Sequence, residues 1–443
     1  MKIDEMEQAT SGLDSVLLLT LLYFIAFFLV SDATEVEDRS FKVPGVKGAY
    51  YPSYAAASYP SASIDATLFT HLFFAFVAMD PTTFEVKAPD PSTEQELASF
   101  TRTINASNPT VRALVSIGGA SADANSFAQM AASSTSRNTF ITTSIALARL
   151  HGFAGLDLDW ELPFDATEMD NFGLLISEWR AATLLEAKQS NDPPLLLTAA
   201  VYYAATIPYD RSRSYPVSSI ASNLDWINIM AYDYQGPWTP FATGEHTALY
   251  TNGSNLNTDY GITTWLKAGL PSQKAILGFA LYGRSWALAK PSETWIGAPA
   301  VGPGPPQPLS DEPGVFIFPE IVQFITNSNV STVYDSLTVC TFSFDGKTWV
   351  GYDNALSVAN KVEYLKTRNL GGYFFWTVSF DSNWTLSKTA FSTIGDYSSL
   401  VASSESPVPS SSPHGIDSPP SASSMTLPFP FIIVVLFLLC NII

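Results

Sequence analysis

Cysteine is nearly absent from this 443-residue chain. Its two thiols, Cys340 and Cys440, can neither staple a disulfide scaffold nor fill a cysteine-based zinc site. Histidine is equally scarce, with four in all, which leaves little material for a histidine metal cluster. Charge is thin as well: 14% of residues are Asp, Glu, Lys or Arg, where ordinary globular chains carry about 25%. Most of it is acidic, 41 residues against 22 basic ones, for a net charge of −19, and no Lys/Arg cluster occurs anywhere. Neutralising phosphates takes a basic face, so nucleic acid is excluded as a partner. What the chain does have is apolar and aromatic material, 47% and 13%, too much for a disordered protein.

Part of that apolar share sits at the two ends. Residues 16–30 form a largely apolar run, followed by Ser31-Asp32-Ala33, a small-x-small cleavage pattern. Fifteen residues are fewer than the roughly 20 a membrane span needs, so residues 1–33 are predicted to be a secretory signal peptide. The flank carries Asp4, Glu5, Glu7 and Asp14 where positive charge is expected, which leaves a start at Met6 or a signal anchor open. At the other end, a Ser/Pro-rich stretch over 403–424 reads as an extended stalk, and 425–443 is an uncharged hydrophobic tail. Small residues, a polar spacer and an apolar tail with no following Lys/Arg predict a GPI-anchor signal, with a tail-anchored helix as the alternative. Four glycosylation sequons, at Asn105, Asn252, Asn329 and Asn383, agree with passage through the secretory pathway. Residues 1–33 hold five acidic side chains and one basic one, so the exported chain stays acidic, at −15 from −19 + 5 − 1.

Between these ends one pattern recurs: a short apolar run, a loop, then a helical stretch. The runs begin at Lys47, His71, Arg112, Gly152, Leu195, Asp225, Ala275 and Gly371. Near-continuous apolarity rich in aromatic and β-branched residues suits parallel strands buried on both faces. Phe172, Leu175, Ile176 and Trp179 fall on one helical stripe after the fourth run, and Leu356, Ala359 and Val362 on another before the eighth. Eight such units predict an α/β fold, a (β/α)8 TIM barrel over residues 47–399. The spacing breaks once, across residues 287–353. That stretch is too long for a loop and contains short strand-like pieces, so it predicts a small inserted β-rich domain, α+β in type, between strands 7 and 8.

The fourth run contains Asp157-Leu-Asp159-Trp-Glu161. Side chains alternate along a strand, so the three carboxylates share one face and Leu158 and Trp160 take the other. In a barrel that face points inward and Glu161 lies at the C-terminal end, where barrel enzymes do their chemistry. Like charges at this spacing push their proton affinities apart, so at least one should hold a proton near neutral pH. A protonated acid with an ionised partner below it can protonate a glycosidic oxygen. Two other readings stay open on the residues alone: a solvated charge run, and a divalent-cation site of oxygen ligands. Later strand ends bring rings: Tyr232 and Asp233 with Trp238 after the sixth run, Tyr282 and Arg284 with Trp286 after the seventh, and Trp376 in the eighth. Such rings can stack on the apolar faces of sugars.

Five motifs in register, Ser116-Ile-Gly-Gly119, LDLDWE, Met230-Ala-Tyr-Asp233, YGRSW and the eighth strand with Trp376, resemble glycoside hydrolase family 18, in particular plant class V chitinases. The resemblance implies retaining, substrate-assisted cleavage of β-1,4-linked N-acetylglucosamine, with Glu161 as acid and base, Asp159 orienting the acetamide, Asp157 sharing a proton behind it, and Tyr232 bonding the acetamide carbonyl. It implies sugar contacts for Asp233, Arg284, Trp376, Tyr282 and Trp286, a monomer without cofactor or metal, and chitin or chitooligosaccharides as partner. Ala154 stands where the family's longer motif often has Asp. A non-catalytic sugar-binding protein on the same barrel and a transglycosylase are the alternatives.

Overall fold

The computed structural model describes residues 45–395 apart from Arg211 and Ser328. The expected signal peptide (1–33), stalk (403–424), hydrophobic tail (425–443) and the last four residues of the predicted barrel lie outside the described residues.

The chain runs β1 (Val46–Pro52), β2 (His71–Met79), β3 (Val86–Lys87), α1 (Pro91–Ser107), β4 (Arg112–Gly118), α2 (Ala124–Ala132), α3 (Ser134–Leu150), β5 (Gly155–Asp159), α4 (Ala166–Ser190), β6 (Leu196–Tyr202), α5 (Val217–Asn223), β7 (Trp226–Met230), α6 (Thr258–Lys267) and β8 (Ala275–Ala280). After an inserted unit it resumes with α8 (Ala355–Thr367), β15 (Gly372–Trp376) and α9 (Thr385–Ile394). Strands β1, β2, β4, β5, β6, β7, β8 and β15 pair in parallel, and β1 closes the ring by pairing with both β2 and β15. This is the expected eight-stranded barrel. Its interior is filled by Tyr50, Phe73, Leu114, Trp226, Ile276 and Phe374, all buried, as a packed barrel core requires.

The helices dock on the outer face through the residues their sequence repeats supply. In α4, Phe172, Leu175, Ile176 and Trp179 are buried, and the Trp179 ring meets Phe140 of α3 edge-on at 5.1 Å. Each such side chain contributes about 1.5–3 kcal/mol by leaving water. Asp165 starts this helix by accepting from Glu168 N at 2.9 Å, and Glu168 reaches back to Phe164 N at 2.7 Å, satisfying amides that lack intrahelical partners. The stripe expected on α8 is out of phase. Leu356 is exposed and Ala359 half-buried, whereas Val358, Lys361, Val362 and Leu365 are buried. Lys361 can lie on the inner face because Asp353 receives its ammonium, a partner that apolar periodicity does not register.

The insertion is a second sheet, with β9 (Tyr282–Leu288), β10 (Ala300–Pro303), β11 (Val315–Ile317), β12 (Ser331–Asp335), β13 (Cys340–Phe344) and β14 (Thr348–Tyr352), and one helix, α7 (Phe318–Ile325). Its order is β10-β9-β14-β13-β12, with β11 on the free part of β9, all antiparallel. The insert begins earlier than residue 287: the seventh barrel strand ends at Ala280, and Tyr282 opens the second sheet. Among the described residues, no helix is long and apolar enough to cross a membrane.

Candidate active site

The carboxylate row lies where the strand alternation places it. Asp157 is fully buried inside the barrel, Asp159 is 4% exposed at the end of β5, and Glu161 follows past the strand end at the mouth, half-buried. The glycine pair before them has a geometric reason. Gly118 has φ +120°, and a Cβ there would stand 2.0 Å from Asp159 O, while Gly119 N donates to that same oxygen at 2.9 Å. Only glycine lets the end of β4 come this close to the strand that carries the acids.

Asp157 is set among hydroxyls. It accepts from Thr198 Oγ1 at 2.5 Å, Ser116 Oγ at 2.7 Å and Tyr50 Oη at 2.8 Å, and Asn228 Nδ2 donates to Tyr50 Oη at 2.8 Å. Burial raises its proton affinity, while the Thr198, Ser116 and Tyr50 hydrogen bonds pull it back. Asp159 has no such support: its Oδ1 is buried without a hydrogen-bond partner. Burial, then the charges of Glu161 and Asp157, push it well above the ordinary carboxylate range. Of the two, Asp159 is the one whose charge has no hydrogen-bond support. Glu161 is pushed up to about 7, first by burial and then by the negative charge of Asp233. An acid with this affinity carries its proton at mildly acidic pH and is close to balanced at neutrality.

Hydroxyl and amide donors already occupy the lone pairs of Asp157, which leaves a divalent cation little to bind. Among the described residues no group of three or more His, Cys, Asp or Glu side chains is arranged to hold a metal ion.

The remaining predicted residues divide into two groups. Tyr232 and Asp233 follow β7; Asp233 sits in the left-handed region with φ 62° and is clamped by Arg284, Nε to Oδ1 at 2.8 Å and Nη2 to Oδ2 at 2.7 Å. Arg284, then His246, holds Asp233 below the usual carboxylate range against the effect of its burial. Tyr232 packs at the mouth over Gly278, where a Cβ would lie 2.9 Å from Cε1 of its ring. Trp376 is half-buried, 5.7 Å from the Phe76 ring and 5.6 Å from Tyr50. Arg284 also lies 5.2 Å from the ring of Trp238, which is 49% exposed, and 5.1 Å from that of Tyr282. Of these, Tyr232 lies within electrostatic reach of Asp159 and Glu161, and Asp233 within reach of Glu161. Tyr282 and Arg284 reach the mouth from β9 of the insert, not from the end of a barrel strand.

Trp286 does not join them. It is fully buried, donates Nε1–H to Thr239 O at 3.0 Å and packs edge-on against Trp349 at 5.6 Å. It belongs to the insert's core: it shares a face of β9 with Tyr282 and Arg284, but at its position that face packs with Leu288, Phe342 and Trp349. Sequence reasoning missed Tyr50, Thr198 and Asn228, and gave Ser116 no task. Ser116 and Thr198 are the register partners of Asp157 on its two neighbouring strands, and registers are not written in one sequence. His246 was missed too: its Nε2 lies 3.1 Å from Tyr282 O, and its Nδ1, 3.4 Å from Asp233 Oδ1, is buried without an aligned partner.

A barrel with this acid row at its mouth matches a known family model, Glycosyl hydrolases family 18, over residues 47–381. The chain belongs to glycoside hydrolase family 18. A class V chitinase of Arabidopsis thaliana is 41% identical over 379 residues, 85% of this chain and 96% of the relative. The crystal structure of a mutant class V chitinase from Nicotiana tobaccum in complex with NAG4 superposes with a TM-score of 0.76 at 39% identity, covering 79% of this chain and 99% of that one. A chitinase-like agglutinin from Robinia pseudoacacia superposes at 0.73 with 38% identity, over 79% of this chain and all of that one. As a family 18 member, the chain is a glycoside hydrolase of the chitinase type.

Proposed function

We propose that the protein hydrolyses the β-1,4 bonds between N-acetylglucosamine units of chitin or its oligosaccharides. The observation that carries this is the row itself: Asp157 buried among hydroxyls, Asp159 buried with an unpartnered oxygen, and Glu161 just past the strand end, pushed up to about 7 by burial and the Asp233 charge. Glu161 gives its proton to the leaving glycosidic oxygen while the substrate's own acetamide carbonyl oxygen attacks the anomeric carbon, forming an oxazolinium ion. Asp159 accepts the acetamide N–H through its unpartnered Oδ1, and Tyr232 donates its phenolic hydrogen to the acetamide carbonyl. The Glu161 carboxylate then takes a proton from water, which attacks the anomeric carbon and restores the starting configuration. Arg284 fixes Asp233, and Trp376 floors the sugar.

Release of products from a chitin tetramer by wild type and Glu161→Gln tests this reading. A fall in kcat of about 10²–10⁴-fold is expected, and full activity in the variant would overturn it. The likeness to an agglutinin favours a second reading, sugar binding without turnover; binding at pH 4 to 7 with no product would install it. Transfer to a sugar acceptor instead of water would show in the product pattern. The apolar run over 16–30 and the tail over 425–443 support an extracellular, surface-held protein with a lipid anchor. Release of the protein from cells by a phosphatidylinositol-specific phospholipase tests the anchor.

A further inference from the structure

Of the four sequons, the one beginning at Asn383 is built unlike the others. Asn383 and Trp384 are consecutive non-glycine residues in the left-handed region, with φ 53° and 61°. Asn visits that region readily, but a bulky ring there is an outlier that the surroundings must hold in place. The holding contacts are aromatic: Trp384 meets Tyr59 edge-on at 6.4 Å and Phe69 at 6.2 Å. The chain then enters α9, with Asp381 tying its first turn through Leu386 N and Ser387 N. The result is a rigid corner with Asn383 exposed, Trp384 half-buried and Thr385 exposed. The corner opens onto a pocket of about 360 Å³ whose lining includes Tyr59, Ser63, Asp381, Asn383, Trp384 and Lys388.

Asn105, Asn252 and Asn329 are also exposed but lack this setting. Asn105 is in the last turn of α1 beside a pocket without aromatic residues. Asn252 precedes Gly253, which has φ +76° and open space around it, and Asn329 precedes Val330. Indole and phenol faces beside a polar rim of hydroxyl, carboxylate and ammonium groups suit a pyranose ring.

We propose that Asn383 carries an N-linked glycan whose first N-acetylglucosamine lies in this pocket against Trp384 and Tyr59. This rests on the reading that the chain enters the secretory pathway. In the transfer, Asn383 Nδ2 forms a bond to the anomeric carbon of a lipid-diphosphate-linked oligosaccharide. The bond from that carbon to the diphosphate breaks, the lipid diphosphate leaves, and the amide gives up one proton. The bound sugar covers the part of the Trp384 ring left open to water and stiffens the loop between β15 and α9.

The full chain is secreted from insect cells, once with its own leader and once with residues 1–33 replaced by an established signal peptide. Peptides are mapped by mass spectrometry after peptide N-glycosidase treatment in ¹⁸O water, with chitin tetramer turnover as a check on folding. The proposal expects the Asn383 peptide to be converted in at least the leader-swapped chain. It also expects deglycosylation to lower the thermal midpoint of wild type, but not that of Asn383→Gln. Glycosylated Trp384→Ala should lose that dependence; where this variant fails to fold, Tyr59→Leu, which keeps the apolar contact but not the phenol, takes its place. Glycans with native leader absent but with swapped leader present would reject the export reading and keep the site. An unconverted Asn383 peptide in both chains overturns the site, and an unchanged midpoint on deglycosylation overturns the docking.

Discussion

The barrel mouth and the junction between barrel and insert both bury carboxylates, and they meet the cost in opposite ways. At the junction, Asp353 is 2% exposed and its two oxygens take the Lys361 ammonium at 2.6 and 2.7 Å. Lys361 also donates to Thr247 O at 2.5 Å. Burial draws its proton affinity down, and the Asp353 charge more than reverses that. At the mouth, Asp157 and Asp159 are as deeply buried but receive no cation. Hydroxyls steady one, and burial without a partner raises the proton affinity of the other. A countercharge fixes geometry, whereas a carboxyl of raised proton affinity can take up and release a proton. The junction is therefore built to hold two layers together, and the mouth to exchange protons with a substrate. Glu245 lies near the junction but follows the mouth's solution: both its oxygens are buried without partners, and burial raises it to about 7.

Removing the junction's cation should cost most. Lys361→Met leaves Asp353 buried and unpaired, with an expected loss of about 3–5 kcal/mol in urea unfolding, while turnover per folded molecule stays at the wild-type level. Equal stability would break the contrast. Asp159→Asn attacks the mouth instead: kcat should fall about 10²–10³-fold, or about 2.7–4 kcal/mol in the barrier, with the unfolding midpoint little changed. Glu245→Gln should be felt through pH. A carboxyl raised from 4.5 to about 7 keeps its proton in the folded chain after the unfolded chain has lost it. Wild-type stability should therefore fall as pH climbs through that window, by up to about 3 kcal/mol, and the Gln variant should show a flatter profile. The smallest effect is expected for Asp233→Asn. The negative neighbour that helps raise Glu161 is then gone, so the alkaline limb of kcat/KM, which reports the free enzyme's acid and is expected at about 7 in wild type, should move to lower pH. A shift to higher pH would contradict the assigned cause.

The contrast also explains what could be read in advance. Eight apolar runs and a three-carboxylate alternation are local patterns, and strand pairing did not have to be known to see them. Trp286 misled because a ring two residues beyond Arg284 looks like the next groove residue; only the β9 to β14 pairing, with Trp286 opposite Trp349, shows it inside the insert. Leu356 misled for the reverse reason, since an apolar count cannot foresee that a lysine will take the inner face. Tyr50, Ser116, Thr198 and Asn228 come from four different strands. Their convergence on Asp157 follows from barrel register, which no short window of sequence contains.

Strand β1 carries a consequence for how the molecule is made. It is the first strand of the ring and pairs with the last, Val46 opposite Gly372, so nearly the whole barrel must be synthesised before the seam can close. Until then β1 and the newest strand each present an unpaired, strongly apolar edge, open to pairing with other chains. Folding of so non-local a contact is slow relative to local helix formation. An unfinished barrel thus carries two open strand edges, the kind along which unfinished chains pair with one another.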